Sequence, residues 1–117
     1  MTNEIIYKIA PRGLWAQAEQ AGNFTGAPVD IADGYIHFST GTQVRETAAK
    51  HFAGQRDLLL ISVNASALGA ALKFEVSRGG GALFPHLYGT LPLAAVLKVE
   101  PLPLGDVGLH IFPELES

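Results

Sequence analysis

Two short stretches of this chain concentrate side chains that could do chemistry. The first is Asp33-Gly-Tyr-Ile-His-Phe-Ser-Thr40. On a strand, Tyr35, His37 and Ser39 share one face, and Ile36 and Phe38 take the other. The apolar pair then points to the core. His37 and Ser39 are left beside the start of a helix, where free N–H groups and a partial positive charge can seat a phosphate. The structural alternative is that Ser39 and Thr40 only cap that helix and His37 only bonds a backbone carbonyl. The second stretch is Arg78-Gly-Gly-Gly-Ala-Leu-Phe-Pro-His-Leu-Tyr-Gly89. Arg78 supplies a rigid cationic fork, and the glycines permit close approach of a ligand. His86 and Tyr88 share a face if the segment is extended. A Gly-rich hairpin connection is the plainer meaning of the same residues.

Other reactive side chains fit structural roles. Trp15 and His51 lie on apolar helix faces, which suits core positions, His51 as a hydrogen-bonded core histidine. His110 is isolated near the end of the chain. Glu75 faces away from Phe74 and Val76, toward solvent or a cleft. His37, His51 and His86 could meet around zinc, iron or copper. No His-x-His or His-x-x-x-His pair supports that, and no carboxylate falls at a chelating spacing. A Ser-His-Asp triad lacks the Gly-x-Ser-x-Gly turn that exposes the nucleophile.

The elements that must position these groups follow from hydrophobic period and punctuation. Glu4–Ala10 reads as a strand. Leu14, Trp15, Ala18 and Ala21 give a helix over Pro11–Ala21, stopped by Gly22. Asn23–Gly34, punctuated by Gly26, Pro28 and Gly34, reads as a long loop bordering a site. Tyr35–Ser39 is a short strand. Thr40 and Gln43 form a capping box, the Thr40 hydroxyl and the Gln43 amide serving backbone donors of the next helix. Val44, Thr47, Ala48, His51 and Phe52 define that helix, and Gly54 ends it. Asp57–Asn64 is apolar almost throughout, as a strand buried on both faces must be. A helical turn over Ala65–Gly69 follows. In the next strand Leu72, Phe74 and Val76 point inward, and Lys73, Glu75 and Ser77 outward. Val96–Pro103 suits an edge strand, because Pro101 and Pro103 have no N–H to donate. Leu109, Ile111 and Phe112 dock the tail.

This order gives an α+β fold, a bent mixed or antiparallel sheet carrying two helices from the N-terminal half. One domain spans 1–117, with a core over about 5–100 and a docked tail over about 104–117. The 117 residues contain no cysteine, which excludes disulfides, zinc–thiolate sites and thiol catalysis. The net charge of −3 and the lack of a basic run argue against a nucleic-acid scaffold. The apolar run Leu58–Ile61 is far short of a membrane span. The acidic, polar start is unlike a secretory signal, so a cytoplasmic location is expected. The oligomeric state stays open.

The residues also carry a resemblance. Ile6-Tyr-Lys-Ile9, Trp15, the Asp33–Thr40 stretch with Gln43, and Phe84-Pro-His-Leu-Tyr-Gly89 occur in the order seen in a bacterial family called domain of unknown function 952. The similarity covers about residues 5–100. More distantly, the chain is similar to the ADP-ribosyltransferase fold. That similarity places Lys8 and His37 at that fold's first and second motif positions, and His86 near its catalytic Glu. Leu58–Val63 resembles its middle strand. Lys8 departs from the His of that pattern, and no Glu stands where the ribose 2′-hydroxyl would be held. The RNA 2′-phosphotransferases are the branch that resembles the chain in this respect.

The resemblance implies a small anionic or nucleotide ligand, with NAD as a possible cofactor. His37 and Tyr88 would frame the nicotinamide end. Arg78 and the Thr40–Gln43 helix start would hold phosphate. Without the Glu, binding is expected ahead of ADP-ribosyl transfer. His37 and His86 are the candidate catalytic groups, and Lys8, Ser39, Thr40, Gln43, Arg78 and Tyr88 the candidate ligand-binding ones. The alternatives are a histidine-pair or metal-dependent enzyme and a non-catalytic interaction module. A cleft shared by Lys8, His37, Ser39, Arg78, His86 and Tyr88 is the geometric expectation.

Overall fold

A computed structural model describes residues 4–76 and 81–115. Arg78, with its neighbours Ser77, Gly79 and Gly80, lies outside the described residues. At the centre stands β5 (Leu58–Asn64), hydrogen-bonded on one side to β1 (Ile5–Pro11) and on the other to β9 (Val96–Leu102). Its apolar run serves two cores at once. Leu59, Ile61 and Val63 enter one cluster with Ile6, Ala10, Trp15 and Phe24. Leu58 and Leu60 enter the other with Tyr7, Ile9, Val44 and Ala48. Alternation across the pleat makes that division, and burial on both faces is why charged residues are missing from the strand.

The fold is α+β with antiparallel ladders. One sheet runs β4 (Ser39–Thr40), β1, β5, β9. A second runs β3 (Ile36–His37), β7 (Leu83–Leu87), β6 (Leu72–Val76). A small ribbon joins β2 (Asn23–Phe24) to β8 (Leu91–Pro92). Among the described residues β9 pairs only with β5, which accommodates Pro101 at a sheet edge. Helix α1 (Arg12–Ala21) ends at Gly22, whose left-handed backbone (φ 91°) only glycine adopts at little cost. Helix α3 (Val44–His51) packs Val44 and Ala48 against the second core.

Several expectations need correction. Asn23–Gly34 is not a structureless loop. It holds β2 and a helix, α2 (Pro28–Asp33), making three α-helices among the described residues rather than two. Pro28 and Gly34 are its start and stop. Proline suits a first helical turn, and Gly34 (φ 87°) caps the end. The strand expected over Tyr35–Ser39 divides at buried Phe38, whose N–H reaches the Pro85 carbonyl at 3.0 Å. His37 therefore belongs to the second sheet and Ser39 to the first.

Phe74 and Val76 are exposed and Glu75 turns toward histidine and tyrosine partners, against the expected facing of β6, while Leu72 packs on the first core and Lys73 is exposed, as expected. Leu83–Leu87 is strand, which is the extended form that lets His86 and Tyr88 share a face. His51 is exposed rather than part of the core. In the tail, Phe112 and Leu115 pack on the second cluster, but Leu109 and Ile111 are exposed.

Candidate functional site

The passage from β3 to β4 sets the site. Because the chain changes sheets at Phe38, His37 pairs in register with His86, while its neighbour Ser39 pairs with Tyr7 of β1. The two histidines come within 5.7 Å, ring centre to ring centre, edge to face. A cleft of about 650 Å³ opens beside them. Lys8, Tyr35, His37, Ser39 and His86 contribute to its walls, and Asp33 and Val29 come from α2. Helix α3 adds Glu46, Thr47, Lys50 and His51.

Beneath His37 lies a buried charge network centred on Asp30, which is 1% exposed. Asp30 Oδ1 accepts from the His37 backbone N–H at 3.1 Å and from Lys8 Nζ at 3.0 Å. It also lies 2.6 Å from His37 Nδ1. Asp30 Oδ2 accepts from the Ala27 N–H at 2.8 Å and from Lys8 Nζ at 2.8 Å. Lys8 Nζ completes its shell on the His37 carbonyl at 2.9 Å. Burial alone would push the Asp30 carboxyl upward. The His37 ring and the Lys8 ammonium outweigh it, with help from Ala27, and hold the group at about 2. For Lys8 the balance is the opposite: desolvation lowers its pKa despite the attraction of Asp30. An ionised Asp30 can only accept, so Nδ1 of His37 carries the proton of their bond. The other ring nitrogen, Nε2, faces Asp33 Oδ2 at 3.0 Å. The orientation of the His37 ring is thus fixed by a carboxylate on each side.

His86 has its own acid. Its Nδ1 lies 2.9 Å from Glu75 Oε1, which also accepts from the Tyr88 hydroxyl at 2.7 Å. Those contacts, Tyr88 first, lower the Glu75 pKa, and the same carboxylate raises that of Tyr88. Tyr35 joins the two histidines. Its ring stacks on His86 at 4.1 Å and leans on His37 at 4.7 Å and Tyr88 at 5.3 Å.

The candidates named from the sequence divide accordingly. Lys8, His37, Ser39 and His86 reach one cleft. Lys8 is spent on Asp30, and the buried Ser39 hydroxyl is spent on Thr47 Oγ1 at 2.8 Å. Tyr88 is not among the cleft-lining residues and meets the site through Tyr35 and Glu75. Thr40 and Gln43 are also off the cleft walls. Gln43 Oε1 accepts from the Thr40 N–H at 3.0 Å, while its amide nitrogen donates to the Leu83 carbonyl at 2.7 Å. The Thr40 hydroxyl meets Thr42 rather than the helix, so only half of the expected box forms.

Asp30, Asp33 and Tyr35 were not among the candidates. A lysine in the middle of an apolar strand demands a buried partner, and that was the available signal for Asp30. No group of three or more His, Cys, Asp or Glu placed to hold a metal ion occurs among the described residues. No helix among them is long and apolar enough to cross a membrane.

Fold and site together define a small α+β protein of antiparallel sheets, one of which holds a carboxylate-bound histidine pair beside a cleft. The chain belongs to the family described as Protein of unknown function (DUF952), whose model matches residues 9–99. It is similar to protein CC0527 from Caulobacter crescentus. The crystal structure of that protein is 48% identical, with a TM-score of 0.87 over 92% of this chain and 93% of that one. Its solution structure is 50% identical, with a TM-score of 0.81 over 90% of each chain. Among curated proteins none matches.

Proposed function

We propose that the cleft binds a small nucleotide ligand of the NAD type, and that His37 and His86 are the groups that meet it. The observation that carries this reading is the pair of histidines, from distant parts of the chain, each fixed by its own carboxylate next to one cleft. The volume of about 650 Å³ falls within the range of small-molecule sites. Tyr35 and Phe84 supply flat apolar surface for a heterocycle, and Lys50 and His51 supply basic groups. The similarity to the ADP-ribosyltransferase fold makes NAD the first ligand to try. Binding is favoured over transfer, because Glu75 is engaged by Tyr88 and His86 and is not among the cleft-lining groups.

A thermal-shift screen with NAD, ADP-ribose, nicotinamide mononucleotide, AMP and zinc tests it. A ligand at about a hundred times its dissociation constant stabilises by roughly 2.7 kcal/mol, a shift of several degrees at this size. The expected result is a nucleotide-induced shift that disappears in His37→Ala and His86→Ala. No shift with any nucleotide rejects the proposal, and a shift with zinc alone replaces it with a metal site.

A further inference from the structure

We infer that β6 is a self-association edge, at which a second copy of this chain adds its own β6 antiparallel, about a two-fold axis through Phe74. The inference goes beyond the nucleotide reading and does not depend on it.

The backbone gives the first reason. Among the described residues β6 pairs only with β7, so it is an edge of the second sheet. The Ala71 carbonyl accepts from the Tyr88 N–H at 2.9 Å, and the same register continues to Val76 opposite Leu83. Main-chain groups alternate in direction along a strand. Lys73 and Glu75 therefore point theirs at β7, and Leu72, Phe74 and Val76 point theirs outward. Pro85 agrees from the other strand: its carbonyl reaches Phe38, away from β6. An outward row of N–H and C=O groups is a template for a further strand.

The side chains select the partner. Outward residues must meet outward residues, so a symmetric antiparallel pair centres on a single residue. Centred on Lys73 or Glu75, it would set like charges directly opposite each other, which is destabilising. Centred on Phe74, it engages all five residues of the strand. Phe74 then exchanges both main-chain bonds with its counterpart, and Leu72 does so with Val76 of the second copy. Lys73 falls opposite Glu75 of the second copy, twice by symmetry, in the closer class of cross-strand pair. Lys73 is exposed, and Glu75 holds His86 and Tyr88 with Oε1, which leaves Oε2 for the incoming ammonium.

The other face of the strand agrees. Phe74 and Val76 are 40% and 55% exposed, and Leu83, in register with Val76, is 52% exposed. Pairing about Phe74 sets the two rings across from each other, flanked by Leu72 and Val76 of the opposite copy, and takes apolar surface out of water. Five residues make a short ladder, so the dimer is of the weak, reversible class.

Sedimentation equilibrium on the full chain, from about 10 µM to about 1 mM, spans that class. The average mass is expected to rise from one chain toward two. Lys73→Glu reverses both charge pairs at an exposed side chain and should weaken the dimer about tenfold or more. Phe74→Pro removes an outward N–H, a change that edge strands tolerate, and should abolish the dimer. Circular dichroism checks the fold of both, and Lys73→Glu decides the matter if Phe74→Pro does not fold. Carbodiimide coupling joins an amine to a carboxylate in contact with it. In an equal mixture of isotope-labelled and unlabelled chain, Lys73–Glu75 links between the two kinds of chain are expected. A monomer throughout the range overturns the inference and leaves the edge to a partner of another kind. A dimer as strong in Lys73→Glu as in the unmodified chain, or one cross-linked only through other residues, places the interface elsewhere and overturns it as well.

Discussion

Nδ1 of His37 and Oδ1 of Asp30 lie 2.6 Å apart, and the same oxygen accepts the backbone N–H of His37. One buried carboxylate therefore fixes both the ring and the main chain of the histidine. This contact joins α2 to β3, and Lys8 ties both to β1. A short helix, a two-residue strand and a strand of the main sheet are thereby locked where the chain changes sheets. The site is a structural joint as well as a chemical one, so its variants should affect stability in an order that the bonding pattern sets.

Removal of Asp30 should cost more than removal of Lys8. In Asp30→Ala the Lys8 ammonium stays buried with one carbonyl for a partner, a loss of about 3–5 kcal/mol for a broken buried pair. In Lys8→Met, Asp30 keeps His37 Nδ1, His37 N and Ala27 N, and the methionine fills the apolar path of the lysine stem. A smaller loss of about 1–3 kcal/mol is expected. Urea unfolding at neutral pH measures both. A Lys8→Met variant less stable than Asp30→Ala would contradict the network as drawn.

Acid should undo the same joint. Asp30 sits at about 2 in the folded chain against an ordinary 3.8. A depressed carboxylate contributes stability above its unfolded value and loses it as pH falls through the folded one. The contribution, about 2.5 kcal/mol, is complete at neutral pH and is lost progressively from about pH 5 to below pH 2. Unfolding free energy measured across this window should fall more steeply in the unmodified chain than in Asp30→Asn. Parallel curves would show that Asp30 does not carry the acid sensitivity.

How much of this was readable beforehand depends on the range of the interaction. β5, α1 with its Gly22 stop, and α3 were legible, because each is written in a local period and a local terminator. Helix α2 was not. Pro28 and Gly34 punctuate a six-residue helix just as they would a loop, and six residues are too few for a period to emerge. The stretch holding Asp30 was therefore read as structureless. His37 and His86 were legible as residue types, but their in-register pairing depends on the break at Phe38, which a continuous strand pattern conceals. In β6 alternation specifies two faces without saying how far along the strand either one is covered. Glu75 pairs with His86 and Tyr88, and Phe74 and Val76 are left exposed.

Gly26 should be the least replaceable glycine near the site. Its φ of 121° is unfavourable for any side chain, and an added Cβ would stand 2.9 Å from the Cβ of Asp30. Asp30 cannot withdraw without losing its five contacts. Gly26→Ala should destabilise by about 1–3 kcal/mol, through strain and a displaced carboxylate. Gly13 is the control: it lies in α1 with no atom within 4 Å of a built Cβ, and Gly13→Ala should stabilise by about 0.4–1 kcal/mol. Thermal or urea unfolding ranks the pair, and equal effects would reject the account of Gly26.

Glu75 should hold Tyr88 in its protonated form. The Tyr88 hydroxyl donates to Glu75 Oε1 at 2.7 Å, and that bond is the largest cause of its raised pKa, ahead of desolvation and the carboxylate charge. Loss of the phenolic proton would place two negative oxygens against each other, with His86 Nδ1 already committed to the same carboxylate. Glu75→Gln keeps an acceptor oxygen but removes the charge. Tyr88 should then ionise at a lower pH than in the unmodified chain, while its ring stays beside Tyr35. Carbon-13 NMR of the tyrosine Cζ atoms across the alkaline range reads this directly. An unchanged Tyr88 midpoint in Glu75→Gln would mean that the pair does not form in solution. A downward shift would establish that the Tyr88 proton is turned toward Glu75.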